Sequence, residues 1–180
     1  MQGIASYTTT NADDGSRKRK FFFESTGNAS IIKVVEYTGI QQAGRRVIYN
    51  LGFGDYDEAM GRVTDSANSN NGDMMRVFST VLSTVPLFFA GNPHDVIVVQ
   101  GSDSDEAAAA TCWATCRKKC VGRCKDIDRR IRTYRYFVDK NFAALTREYV
   151  IFGSYRDDIE DFVQYVVGED YAAILVYKKN

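Results

Sequence analysis

Apolar residues follow two rhythms along this chain, and the change from one to the other separates a strand-rich first third from a helix-rich middle. Phe21-Phe22-Phe23 and Ile31-Ile32-Lys33-Val34-Val35 flank the turn-forming Ser25-Thr26-Gly27-Asn28, a pattern that predicts a β-hairpin with a longer loop. Arg46 to Gly54 predicts a third strand and Arg62-Val63-Thr64-Asp65 a fourth, so this region reads as an antiparallel meander. Residues 1–18 read as a loose N-terminal segment, in which 6–16, rich in Thr, Asn, Asp and Gly, form a loose lead-in or a hairpin tip.

Ser69-Asn70-Asn71-Gly72-Asp73 is a helix-starting cluster. After it Met74, Val77, Phe78, Val81, Leu82, Val85, Phe88 and Phe89 recur at steps of three and four, the mark of a buried helix, with Pro86 expected to kink or tighten its last turn. Asp95 to Gln100 is a short apolar run between Asn92-Pro93 and Gly101-Ser102, as a central strand requires. From Asp103 to Arg147 the pattern is helical and free of proline, interrupted only at Gly122. A continuous helix of that span would be on the order of 60 Å long, more than a domain of this size is wide. It must break near Gly122 or project, with 104–127 as the extension. Tyr149 to Phe152 returns to strand, and Phe162–Val167 and Tyr171–Tyr177 predict a closing hairpin around Gly168-Glu169-Asp170. The expected fold is a single α+β domain over 1–180, with an element order that echoes ribonuclease H.

Composition supports a sizeable core: 44% of residues are hydrophobic and 13% aromatic. The 23 basic and 23 acidic side chains cancel, so an anionic partner must be argued from local clustering. The N-terminus lacks the layout of a signal peptide, and Gln2 stands where myristoylation needs glycine. The longest apolar runs fall short of a span of about 20 residues. A cytoplasmic protein with no membrane partner is the expectation.

Cys112, Cys116, Cys120 and Cys124 repeat every fourth residue. On one helix they form a slanting ridge about 18 Å long, too long for a single tetrahedral zinc site. Ile127, Ile131, Tyr134, Val138, Phe142 and Leu145 continue the ridge, and the whole averages about 3.67 residues per turn, the period of a nearly straight helix packing along one stripe. Three readings follow: small apolar residues at a helix–helix contact, a metal shared between chains or segments, or redox or disulfide chemistry. The first makes the stripe a homo-oligomer interface through 104–127.

Around the ridge lie Arg117, Lys118, Lys119, Arg123, Lys125, Arg129, Arg130, Arg132 and Arg135, nine positive side chains against Asp126 and Asp128, a net of +7. Such a segment inside a neutral protein suits phosphate contacts, and Tyr134, Tyr136 and Phe137 are candidates to stack on unpaired bases. The alternative is a solvated face paired with acidic side chains of this or a neighbouring chain.

Other chemistry is thinly represented. A lone His94 at a turn reads as a solvent-facing loop residue, and Gly52-Phe53-Gly54 is too short for a dinucleotide fingerprint. A ribonuclease H-like arrangement would bring carboxylates to strand ends to hold two magnesium ions. Asp55 after the third strand, Asp73 at the helix start, and Asp103 and Asp105 after the central strand are the candidates.

The string Tyr49-Asn50-Leu51-Gly52-Phe53-Gly54-Asp55, with Asp57, Gly61, Asp65, Ser69-Asn70-Asn71, Asp73, Val77, Thr80-Val81 and Thr84-Val85, resembles an uncharacterised family of small bacterial proteins found largely in Bacteroidetes. The resemblance covers residues 20–180. It implies no chemistry, because that family is a domain of unknown function. Where its common form has a short Gly-Ser-Thr segment with arginines, this chain has Gly101-Ser102-Asp103-Ser104-Asp105 and the cysteine-rich stretch before Arg129. It therefore looks like a subgroup with a lengthened helix. The leading expectation is a non-enzymatic binding protein whose basic helix contacts nucleic acid or an acidic protein, by analogy in a toxin–antitoxin or phage-defence module. The alternative is the magnesium-dependent nuclease. Beyond zinc or magnesium, no cofactor is expected.

Overall fold

Alternation of large apolar and polar residues along Lys18–Ser25 and Ile31–Ala43 gives each strand one face for a core. The computed structural model describes residues 5–13, 17–64, 71–101, 128–155 and 161–179. Contacts divide the chain into two units, Met1–Asp95 and Val96–Asn180, taken here in turn.

In the first unit β1 (Thr10–Asp13), β2 (Lys18–Ser25), β3 (Ile31–Ala43), β4 (Arg46–Asp57) and β5 (Arg62–Thr64) pair antiparallel in chain order. The expected meander is present, with longer central strands. The expectation of a loose segment is corrected for its described residues, 5–13 and 17–18. Thr10 to Asp13 pair with Phe22 to Arg19, and Tyr7 is buried, its N–H donating to Thr80 Oγ1 at 2.8 Å. One aromatic anchor holds a stretch whose composition otherwise favours loop. Asp55 lies within β4 opposite Lys33 of β3, not after the strand.

Helix α1 (Met74–Gly91) lays Val77, Val81, Phe88 and Phe89 on the odd-numbered face of these strands. There Phe88 stacks on Tyr37 at 4.4 Å and meets Tyr49 at 5.0 Å, while Phe78 meets Phe53 at 5.9 Å. Burying aromatics of this size contributes roughly 2–3 kcal/mol each. Met74, placed by periodicity on the buried stripe, is exposed, and Thr80 and Thr84 are buried instead. Their hydroxyls donate to the helix carbonyls of Arg76 and Val81, which is how small polar residues enter an apolar face. The helix continues past Pro86 to Gly91. The expectation from apolar runs also needs amending: averaged over its 18 residues, α1 has a mean hydropathy of 1.4 and the length and composition of a membrane span. In the fold its apolar stripe is covered by the strands.

The second unit contains β6 (Val96–Gln100), α2 (Arg129–Glu148), β7 (Tyr149–Ser154), β8 (Val163–Gln164) and β9 (Ala173–Lys178). β9 lies between β6 and β7, antiparallel to both. The predicted closing hairpin is therefore corrected, because β8 pairs with β7 and β9 pairs elsewhere. Val163 and Gln164 are exposed whereas Ala173 and Ile174 are buried. The six-residue strand, buried or half-buried at all but Lys178, takes the position with a partner on each edge, and the two-residue exposed one takes the rim. Gly153 permits this packing: a methyl group there would sit 2.4 Å from the ring of buried Tyr171. Of the predicted helix over 103–147, Gly122 and the extension 104–127 lie outside the described residues.

Thus the fold is α+β, built mostly from antiparallel strands with two helices among the described residues.

Candidate functional site

Helix α2 forms because its apolar residues recur every three or four positions: Ile131, Tyr134, Phe137 and Val138 are buried. Asp128 precedes it in a left-handed conformation, φ 58°, which aspartate tolerates better than most residues. Its carbonyl accepts from Arg132 N–H at 3.0 Å and from Arg132 Nε at 3.3 Å.

Rotating by 100° per residue, Arg129, Arg132, Tyr136, Lys140 and Arg147 fall within an arc of about 80°. All five are exposed. They form a stripe about 27 Å long, on which the Lys140 ammonium lies 5.8 Å from the Tyr136 ring centroid. No acidic residue shares that arc. Arg129 and Arg132, singled out in the sequence, are exposed, and the stripe adds Lys140 and Arg147, which lie beyond the densest part of the charge run.

Two of the three proposed stacking aromatics are corrected. Tyr134 and Phe137 are core residues, and only Tyr136, 51% exposed, presents a ring to solvent. Burial holds the Tyr134 phenol well above its ordinary value, so it stays neutral. Arg135 is also taken up locally: its Nη1 lies 2.6 Å from Asp170 Oδ1 and donates to the Glu169 carbonyl at 3.4 Å. Arg130 is half-buried. The basic run is thus divided by helical geometry into a core-flanking set and an outward stripe. Arg117, Lys118, Lys119 and Arg123 lie outside the described residues, as do Cys112, Cys116, Cys120 and Cys124.

Beside α2 is an aromatic array in which Tyr155, Tyr171 and Tyr165 succeed one another at 4.9 Å, with Phe142 5.7 Å from Tyr165. The Tyr165 hydroxyl donates to Asp139 Oδ1 at 2.8 Å. Burial, then that hydrogen bond, pushes its phenol up. The Tyr155 hydroxyl donates to Glu169 at 3.0 Å, and this bond is the main cause that pushes it up to about 12. Both are hydrogen-bond donors across the ordinary pH range.

The carboxylate candidates have different surroundings. Asp55 is buried, with Oδ1 2.5 Å from Lys33 Nζ. Asp73 occupies the N-cap position of α1 without making the capping hydrogen bond expected of it. Its Oδ2 instead accepts from Ser25 Oγ at 2.6 Å and from Tyr7 OH at 2.8 Å. Burial alone would raise this carboxyl, but the Ser25 and Tyr7 hydrogen bonds, with the Lys33 charge, bring it below the ordinary value. Asn71 completes the knot, donating to Ser25 Oγ at 3.0 Å and to the Ala29 carbonyl at 2.9 Å. Tyr7, Ser25, Lys33 and Asn71 were invisible as a set because they are spread over four segments. Asp103 and Asp105 lie outside the described residues. Among the described residues, no group of three or more His, Cys, Asp or Glu side chains is placed to hold a metal ion. His94 is an exposed loop residue, as expected.

An α+β protein with an outward basic stripe and an inward polar knot is therefore the class that fold and sites define. The chain belongs to DUF6934, a family of unknown function whose model matches residues 5–108. That stretch includes the whole knot around Asp73, and ends before Cys112 and α2. No curated protein matches the chain, and no solved structure does.

Proposed function

We propose that the protein is a nucleic-acid-binding module that contacts phosphates through α2. The observation that carries this reading is the exposed row of Arg129, Arg132, Lys140 and Arg147 with Tyr136 among them. Cations spaced along a helix face neutralise successive phosphates and release their counterions, and an exposed ring between them adds a stacking surface. In the same reading it is a bacterial, cytoplasmic protein from a subgroup with a cysteine-bearing extension, and the stripe from Cys112 to Cys124 pairs two copies. The analogy with toxin–antitoxin and phage-defence modules suits such a part.

The test is retardation of labelled DNA and RNA at low salt by the wild type and by Arg129→Glu/Arg132→Glu/Lys140→Glu. Binding should weaken steeply between 50 and 200 mM salt, about threefold for each phosphate contact and on the order of a hundredfold for four, and the triple variant should lose it. Binding to an acidic protein with no retardation of either nucleic acid would replace this reading. The nuclease alternative would require magnesium-dependent cleavage that depends on Asp103 and Asp105.

A further inference from the structure

In the first unit, β3 does not stop where β2 does. Lys18, the first residue of β2, pairs with Thr38, and β3 continues to Ala43 with β4 still as its partner. Ala43 pairs with Arg46 across a turn in which Gly44 has φ 62°, a conformation glycine adopts without strain. A register shift between Gly39 and Gln41 marks the start of this overhang. Ile40 to Arg46 are all exposed, and no acidic residue occurs from Gly39 to Asn50.

The neighbouring run Arg17-Lys18-Arg19-Lys20 shows how the strand divides its charges. Arg19 reaches the C-terminal end of α1, donating to the Phe88 carbonyl at 3.3 Å and to Asn92 Oδ1 at 3.2 Å, where a cation meets the negative end of the helix. Lys20 pairs with Glu36 at 3.2 Å. Arg17 and Lys18, next to the overhang, are exposed. Arg17 packs its stem over Gly39, whose added methyl would meet Arg17 Cβ at 3.0 Å. Asp95, near the overhang, is occupied by Val47 N–H and Asn92.

We infer that the β3–β4 hairpin end is a second nucleic-acid contact, a two-stranded ribbon carrying Gln41, Arg45 and Arg46 into the major groove of a DNA duplex, with Arg17 and Lys18 against the phosphates at its rim. That groove admits a two-stranded ribbon, and arginine and glutamine are the side chains whose hydrogen-bonding groups match guanine and adenine edges there. The register places Gln41 and Arg46 on the same sheet face as Lys18, so base-reading and phosphate-holding groups lie together. The inference uses no residue of α2, and shares with the proposed function only the class of partner.

The test measures fluorescence anisotropy of labelled DNA and RNA duplexes of one sequence against the full chain, Arg45→Gln/Arg46→Gln, and the α2 triple variant. The hairpin variant should bind DNA about tenfold more weakly with its log–log salt slope nearly kept, whereas Arg17→Gln/Lys18→Gln, which removes the two phosphate contacts, should lower that slope by about 2. RNA binding by the hairpin variant should be unchanged, because the major groove of A-form RNA is too deep and narrow to enter. Gln41→Ala should weaken DNA binding without changing the salt slope. Unchanged DNA binding by the hairpin variant overturns the inference and leaves the α2 reading standing. Equal losses on DNA and RNA overturn groove insertion. Loss in the hairpin variant with none in the α2 variant supports the hairpin and removes α2. A wild type that binds neither duplex at low salt overturns the hairpin inference, and one that also fails to bind single strands removes the α2 reading.

Discussion

Two ion pairs of nearly equal length behave as opposites in this molecule. Lys33–Asp55 spans 2.5 Å between β3 and β4, with each side chain 10% exposed. Arg135–Asp170 spans 2.6 Å at the surface of α2, its partners 12% and 93% exposed. The first has lost its water on both sides and depends on its partner, because a lone charge there would face an apolar surround with Phe53 close by. The second keeps one partner in solvent, where water replaces whatever is removed. Proximity alone therefore says little about energy; burial on both sides decides it. The same distinction separates residues that hold the fold from those free to meet a partner.

The sharpest way to break this comparison is Lys33→Met, which leaves Asp55 buried and unpaired. It should cost about 3–5 kcal/mol in urea unfolding, and Lys33→Met/Asp55→Leu should recover much of that loss. A single variant that unfolds at the wild-type midpoint would mean that water reaches the pair.

A smaller effect is expected at Asp73. Asp73→Asn removes the charge that Ser25 and Tyr7 hydrogen-bond, at a cost of about 1–2 kcal/mol near neutral pH. The sign with pH follows from its lowered folded-state value. Its contribution is complete above the ordinary aspartate value of 3.8 and is lost as pH falls through the lower folded value. Wild-type stability should therefore drop more steeply than that of Asp73→Asn below pH 3.8, read from urea midpoints across an acid series. Parallel curves would show that Asp73 is not the group responsible.

The smallest change sharpens the other side of the comparison. Asp170→Ala should leave the unfolding midpoint where it is, and Arg129→Gln/Arg132→Gln should shift stability by no more than about 0.5 kcal/mol. If the outward arginines prove costly to remove, the stripe on α2 belongs to the fold and not to a partner.

Periodicity alone determined a good deal of this protein. Runs such as Phe21-Phe22-Phe23 and Val96 to Val99 announce strands, and the three- and four-residue steps of α1 and α2 announce helices, because side-chain spacing on a strand or helix is fixed by backbone geometry. Local pattern also located the basic helix. What the pattern could not carry is any fact that depends on which distant segments meet. Tyr7 is anchored by Asp73 and Thr80, more than sixty residues away. β9 inserts between β6 and β7, where its backbone is hydrogen-bonded on both edges, a choice among strands that no single strand records. Tyr134 and Tyr136 are both stacking candidates by residue type, yet two positions make about 200° of rotation on a helix, and only Tyr134 falls on the stripe of Ile131 and Val138. Packing against the rest of the unit decided that Tyr134 is core and Tyr136 is surface. Charge is subject to the same rule: a lysine in a strand is a stabilising buried partner at Lys33 and a solvent-facing cation at Lys18, and only the register across three strands distinguishes them. The chain sets which residues share a face, and tertiary packing sets which face is withdrawn from water.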